Sequence, residues 1–188
     1  MKHVSEYNWG PSHIPWTIIG KGPSFQSLLD CSPPGYRMGI NQVVRELKVN
    51  VAIFNDYENL LEMREYLGNC QHIFVPQHMH LNAKPMPVDT RELCSALIKD
   101  MSDRLYYYPM NQDGGVEAWH NTSEAAAELI ASSGCKHIIT AGLDGGHCFH
   151  PLFQKCNVIG PKCNYSKQHP HMQKVCDDNG AVLSKWGE

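Results

Sequence analysis

The chain has 188 residues, 42% of them hydrophobic, which is enough apolar material for one substantial core and speaks against a disordered chain. Its 16 basic and 19 acidic residues give a formal net charge of −3 with no basic block, so there is no electrostatic footprint for duplex nucleic acid or an anionic membrane. The first residues, MKHVSEYNWGPSH, lack the apolar stretch of a signal peptide, and no run of about 18 apolar residues occurs; the expectation is a cytoplasmic protein without a transmembrane segment.

Residues 1–15 are polar and aromatic and read as an arm leading into the first strand. The apolar run 16–19 breaks into Gly20-Lys21-Gly22-Pro23-Ser24 and then into a helix carrying Leu28 and Leu29, giving strand, tight loop and helix with Ser24 at a capping position. Glycines at 20 and 22 let backbone amides approach an anion, and a helix start offers unpaired N–H groups. The turn is neither a Walker A loop nor a GxGxxG fingerprint, and the alternative is a strand-to-helix turn that binds nothing. After the breaker Ser32-Pro33-Pro34-Gly35, residues 36–40 read as a strand that stops at Asn41-Gln42. A short helix at 43–47 precedes a strand at 49–54, which delivers Asn55-Asp56 to its end. Residues 57–68 suit a helix closed by Gly68-Asn69, and 72–76 a further strand.

A polar loop at 77–88 leads to a helix from Asp89-Thr90 through about Met101, a strand at 105–109 with three consecutive tyrosines, and a loop at 110–119. Asn121-Thr122-Ser123 caps an alanine-rich helix that Gly134 ends, and 136–141 is a buried strand running into Gly142-Leu143-Asp144-Gly145-Gly146. An irregular loop at 147–168, a helix at 171–179 and a strand at 181–183 complete the chain. Such alternation predicts one α/β domain over 1–188: a doubly wound, mostly parallel, Rossmann-like sheet with helices on both faces. Ligands of such sheets sit outside the carboxyl ends of the strands, where Gly20 to Ser24, Asn41-Gln42, Asn55-Asp56, Gln77-His78 and Asp144 all fall.

The eight cysteines are scattered with no CxxC pair, which argues against a disulfide framework. His147, Cys148, His150, Cys156, Cys163, His169 and His171 crowd the last third. A zinc site is conceivable there, although the spacings match no standard knuckle and free thiols with surface imidazoles are the alternative. Asp56 and Asp144, acidic residues at strand ends, are candidates to hold Mg²⁺ against a diphosphate; Asp144 before two glycines is equally suited to a plain turn.

The motifs Ile-Ile-Gly-Lys-Gly-Pro-Ser (18–24), Gly39-Ile40-Asn41-Gln42, Asn55-Asp56, Thr122-Ser123 and Ala141-Gly142-Leu143-Asp144 together resemble a Rossmann-type glycosyltransferase superfamily. It includes bacterial lipooligosaccharide sialyltransferases and motility-accessory glycosyltransferases, with hydroxymethylpterin pyrophosphokinase-like proteins as relatives. The resemblance runs from about residue 16 to 186. It implies that Gly20, Gly22, Pro23, Ser24, Asn41, Gln42, Thr122 and Ser123 contact the nucleotide of an activated sugar, with Gly142 in the same register. Lys21 stands where the family often has a small or polar residue, and its ammonium is suited to a phosphate or to solvent.

Sugar transfer needs a base for the acceptor hydroxyl and stabilisation of the departing phosphate. The resemblance places a histidine base before the last helix, where this chain has Tyr165-Ser166-Lys167. His169 is therefore the first candidate, His147 and His150 its rivals, and Tyr165 or the Tyr106 to Tyr108 run a donor to the leaving phosphate. The principal expectation is a glycosyltransferase that joins a nucleotide-sugar donor to an unidentified acceptor, needing no cofactor if the donor is monophosphate-activated. The alternatives are a Mg-dependent pyrophosphate-transferring or nucleotide-hydrolysing enzyme and a non-catalytic nucleotide or nucleotide-sugar binder. A homo-oligomer is open on general prevalence alone.

Overall fold

The computed structural model describes residues 2–79, 88–109, 121–145, 148–153 and 168–187. Among them one sheet holds β1 (Lys2–His3), β2 (Trp16–Ile19), β3 (Tyr36–Ile40), β4 (Val49–Ile53), β5 (Cys70–Pro76), β6 (Leu105–Tyr108), β7 (His137–Ala141) and β8 (Val182–Lys185). The spatial order is β1-β6-β5-β4-β3-β2-β7-β8, and every neighbouring pair is parallel. Parallel neighbours require crossovers, and helices supply them: α1 (Gln26–Asp30), α2 (Val43–Glu46), α3 (Tyr57–Glu62), α4 (Val88–Asp100), α5 (Thr122–Ser132) and α6 (Gln168–Asp178). This is the doubly wound α/β architecture that the alternating pattern predicts.

Both faces of the sheet are covered, which is why its central strands are apolar on both sides; all four residues of β2 are buried. From β2 the chain steps one way through β3, β4, β5 and β6. One face accordingly packs Phe25, Leu28, Val43, Val44, Leu60 and Met63 against Ile19, Ala52, Phe54, Ile73 and Val75. The chain then crosses to β7, on the far side of β2, and α5 and α6 bury Ala125, Ala126, Ile130, Met172 and Cys176 against Trp16, Ile18, Met38 and Ile138 on the other face. The N-terminal arm extends that second layer. The Tyr7 ring meets Trp9, Trp16, His72, Phe74 and Tyr106 edge-on, with centroids 5.0 to 6.4 Å apart.

Several boundaries differ from the expectation. The arm opens with β1 and a 3₁₀ turn at Val4–Glu6. Ser24 does not cap α1: Pro23 to Phe25 form a 3₁₀ turn, and Phe25 precedes the helix. The helix read over 57–68 ends at Glu62 and continues as a 3₁₀ segment, Arg64–Asn69, a tightening that keeps Met63 and Leu67 buried together with Leu60. The last helix starts at Gln168, three residues early, because Pro170 in its first turn forfeits no helical bond and Gln168 is buried. Tyr106 and Tyr108 are buried, while Tyr107 meets the His3 ring at 5.1 Å. Among the described residues no helix is long and apolar enough to cross a membrane.

Candidate functional site

The strand order reverses at β2, whose neighbours β3 and β7 lie on opposite sides. The carboxyl ends of these strands therefore frame the crevice where doubly wound sheets place ligands. Two turns are laced together there. Gly20 N–H donates to Ala141 O at 2.8 Å and Gly22 N–H to Gly142 O at 2.7 Å. In return Gly142 N–H donates to Ser24 Oγ at 2.8 Å, and Ser24 N–H to Asp144 Oδ2 at 3.0 Å. A Cβ on Gly20 would lie 2.4 Å from Gly142 O, and one on Gly22 would lie 2.1 Å from Asp144 Oδ2. Mutual packing of the turns thus accounts for these glycines, and a protein carboxylate holds the Ser24 amide. Pro23 is exposed at the start of the 3₁₀ turn.

On the β3 side, Asn41 has φ 51°, a left-handed conformation that asparagine tolerates better than most side chains. Its backbone N–H donates to Ile53 O at 3.1 Å, yet its buried Oδ1 has no hydrogen-bond partner. Gln42 is the opposite case. It is 1% exposed; its Oε1 accepts from Lys21 Nζ at 2.7 Å, and its Nε2 donates to Asn59 Oδ1 at 2.7 Å and Glu62 Oε2 at 2.8 Å. Asn59 in turn donates to Asp56 Oδ2 at 2.9 Å. Tyr108, at the end of β6, donates to Asn55 Oδ1 at 2.5 Å, and burial first, then the Asp56 carboxylate, push its phenol far above the ordinary value. A hydrogen-bonded chain therefore links the ends of β2, β3 and β4 through Lys21, Gln42, Asn59 and Asp56, and the separate Asn55–Tyr108 pair ties the end of β4 to that of β6.

Both α5 and α6 follow strands that end at this rim, so their N-termini return to it. Asn121 N–H donates to Glu124 Oε2 at 3.2 Å, Ser123 Oγ is hydrogen-bonded to Gln168 Nε2, and His171 Nδ1 lies 3.7 Å from Glu124 Oε1. Thr122 and Ser123 are both buried. His169, in the first turn of α6, carries a buried Nε2 without a partner. Asp56 and Asp144 follow β4 and β7, strands that β3 and β2 separate by roughly 14 Å of sheet at about 4.8 Å per spacing. Each carboxylate already accepts a hydrogen bond, Asp56 Oδ2 from Asn59 Nδ2 and Asp144 Oδ2 from the Ser24 N–H.

The segment after β7 folds back over the glycine turn. His150 N–H donates to Lys21 O at 2.7 Å, His150 Nε2 is 3.0 Å from Gln26 Oε1, and Phe153 is buried against Phe25. His150 is thereby engaged in holding this strap and is 8% exposed. His147 and Tyr165 lie outside the described residues, as do Cys156 and Cys163 of the Cys/His-rich segment. Among the described residues no group of three His, Cys, Asp or Glu is placed to hold a metal ion, and Cys31, Cys70, Cys94, Cys135, Cys148 and Cys176 are free thiols. Sequence reasoning missed Asn59, Glu62, Glu124 and Gln168; only the Asn-x-x-Glu spacing of a capping box pointed to Glu124. No known protein-family model matches the chain, and no curated protein matches it.

Proposed function

We propose that the chain is a cytoplasmic glycosyltransferase that binds a nucleotide-activated sugar at the carboxyl rim over β2, β3 and β7. The observation that carries the reading is Asn41. A buried acceptor left without a partner costs about 1–3 kcal/mol, and a non-glycine residue in the left-handed region adds about 1–3 kcal/mol of strain. Such a combination is retained where a ligand supplies the missing donor, and an N–H of a base or a ribose hydroxyl has that chemistry. The turns at Gly20 to Ser24 and Gly142 to Asp144 wall the same crevice. Thr122 and Ser123 begin a helix at the same rim.

In this reading His169 takes the proton of the acceptor hydroxyl, since an imidazole nitrogen without a protein partner at the rim is suited to that task. The separation of β4 and β7, the strands that precede Asp56 and Asp144, supports a monophosphate-activated donor over a diphosphate held by a carboxylate-clamped Mg²⁺. The test is thermal stabilisation by a panel of nucleotides and nucleotide sugars with and without Mg²⁺, where a ligand at 100 times its Kd adds about 2.7 kcal/mol. A metal-independent shift with CMP or a nucleotide sugar, lost in Asn41→Ala, is the expected result. A shift only with Mg²⁺ would move the assignment to pyrophosphate transfer or nucleotide hydrolysis. Tight binding with no transfer to any acceptor would make the chain a nucleotide-sugar binder, and no shift at all would sink the site.

A further inference from the structure

We infer that Lys21 supplies the counter-charge for the phosphate of the bound nucleotide, and that Gln42 is the residue that positions Lys21 instead of contacting the ligand itself. The inference rests on the nucleotide reading of the rim. Its starting point is the orientation of the Gln42 amide. A lysine ammonium can only donate, so the atom 2.7 Å from Lys21 Nζ must be the amide oxygen, and Nε2 then donates to Asn59 Oδ1 and Glu62 Oε2. Both amide hydrogens are spent on α3, and the oxygen is turned to Lys21. Gln42 is 1% exposed, so little of it is left for a ligand to touch.

What this side chain does is fix an ammonium. Lys21 is only half-buried, but Nζ donates to Gln42 Oε1 and lies 4.9 Å from the centroid of the Phe149 ring. It belongs to the turn after β2, at the point where the strand order reverses. A flexible lysine loses rotamer entropy when it captures an anion; one already held in place loses less. The nearby amide of Ser24 cannot serve equally, because Asp144 holds it at 3.0 Å. An ammonium carries three donors, so Gln42 and a phosphate oxygen can be held together. A fixed cation at the phosphate gives the departing nucleotide charge stabilisation without a carboxylate-held metal.

The experiment compares the affinities of ribonucleosides with those of their 5′-monophosphates, without divalent metal, in the wild type, Lys21→Met, Gln42→Met and the double variant. In the wild type the phosphate is expected to add about 10- to 100-fold in affinity, the range of a charge-assisted contact. Lys21→Met should erase that increment and leave nucleoside affinity unchanged. Gln42→Met should erase the same increment, with no further loss in the double variant. Asn59→Ala, which removes one of the acceptors holding the amide, gives a milder perturbation and is expected to erode the increment partly. An increment that survives Lys21→Met overturns the inference while leaving the nucleotide site standing. Equal loss of nucleoside and nucleotide affinity in Gln42→Met or Asn59→Ala also overturns it, since Gln42 would then be shaping the nucleoside contact. A wild type that binds neither nucleosides nor monophosphates removes the site and the inference together.

Discussion

The carboxylate of Asp144, after β7, accepts the backbone N–H of Ser24, after β2, at 3.0 Å, so an anion of the protein's own already occupies the amide that closes the glycine turn. Asp144 is exposed, and water competes for the contact. In Asp144→Asn the amide oxygen still accepts the bond, so the stability loss should stay below about 1 kcal/mol. Removing a negative charge from the crevice should tighten nucleoside monophosphate binding about 2- to 5-fold at low salt. Isothermal titration checks this; weaker binding that appears only in Mg²⁺ would instead identify Asp144 as a metal ligand.

Asn41 separates stability from binding. Glycine adopts φ 51° without strain, and Asn41→Gly also deletes the orphaned Oδ1. The variant is expected to be as stable as the wild type or up to about 1 kcal/mol more stable, while losing nucleotide stabilisation. Chemical denaturation and ligand-dependent melting of the same preparation decide it. A variant that unfolds readily would show that the amide has a structural role.

How far the sequence could lead depends on which interactions are local. Strands β2 to β7 are largely apolar stretches, and helices of 4 to 13 residues separate them, so the layered parallel architecture is legible from the alternation. Lys2–His3 has no pattern to read; it becomes a strand because β6 offers an edge, Lys2 pairing with Tyr106. The position of the glycine turn is likewise visible, but its partner is not. Ser24 and Asp144 are 120 residues apart, and only the placement of β7 beside β2 brings them together. Gln42 has the right chemistry for a base and sits at the right strand end. What commits it elsewhere is α3, whose Asn59 and Glu62 arrive through a crossover that no spacing announces.

Gly142 combines a φ of 66° with close packing: an added Cβ would stand 2.5 Å from the Gly20 carbonyl oxygen, a backbone atom that cannot swing aside. Gly142→Ala should therefore destabilise by about 2–4 kcal/mol, strain and displacement of the β2 turn together. Gly134→Ala is the control, since its φ of 88° carries the same kind of strain with nothing within 4 Å of the added carbon. The difference between the two denaturation midpoints measures the packing of the two turns.

On the acid side, burial first, then the charges of Lys2 and Arg104, hold the His72 imidazole below its ordinary value. Its Nδ1 is buried without a partner, and its ring meets Tyr7 at 5.2 Å. The unfolded chain therefore takes up this proton first, and stability falls as the pH drops through about 6.5 toward the lower folded value. His72→Gln should flatten that part of the stability curve, read as the wild-type-minus-variant difference in denaturation midpoint. An unchanged slope would place the titration elsewhere.

Cys70 and Cys176 give the opposite sign at alkaline pH. Burial pushes both thiols up to about 11, with Asp177 and Cys135 adding to the shift at Cys176. Between about 9, where an unfolded thiol ionises, and 11, the folded chain retains protons that the unfolded chain has lost. Stability must then decline with rising pH. Replacing Cys176 by Ala should cost about 1 kcal/mol at neutral pH through the small cavity it leaves, and should make the alkaline decline shallower. The same burial sets chemical reactivity: Cys31 and Cys148 are exposed and should alkylate in the native protein, whereas Cys70, Cys94, Cys135 and Cys176 should react only as fast as the fold opens. Mass-resolved labelling at increasing denaturant tests this directly, since rapid native labelling of Cys176 would mean that the α5–α6 layer opens independently of the sheet.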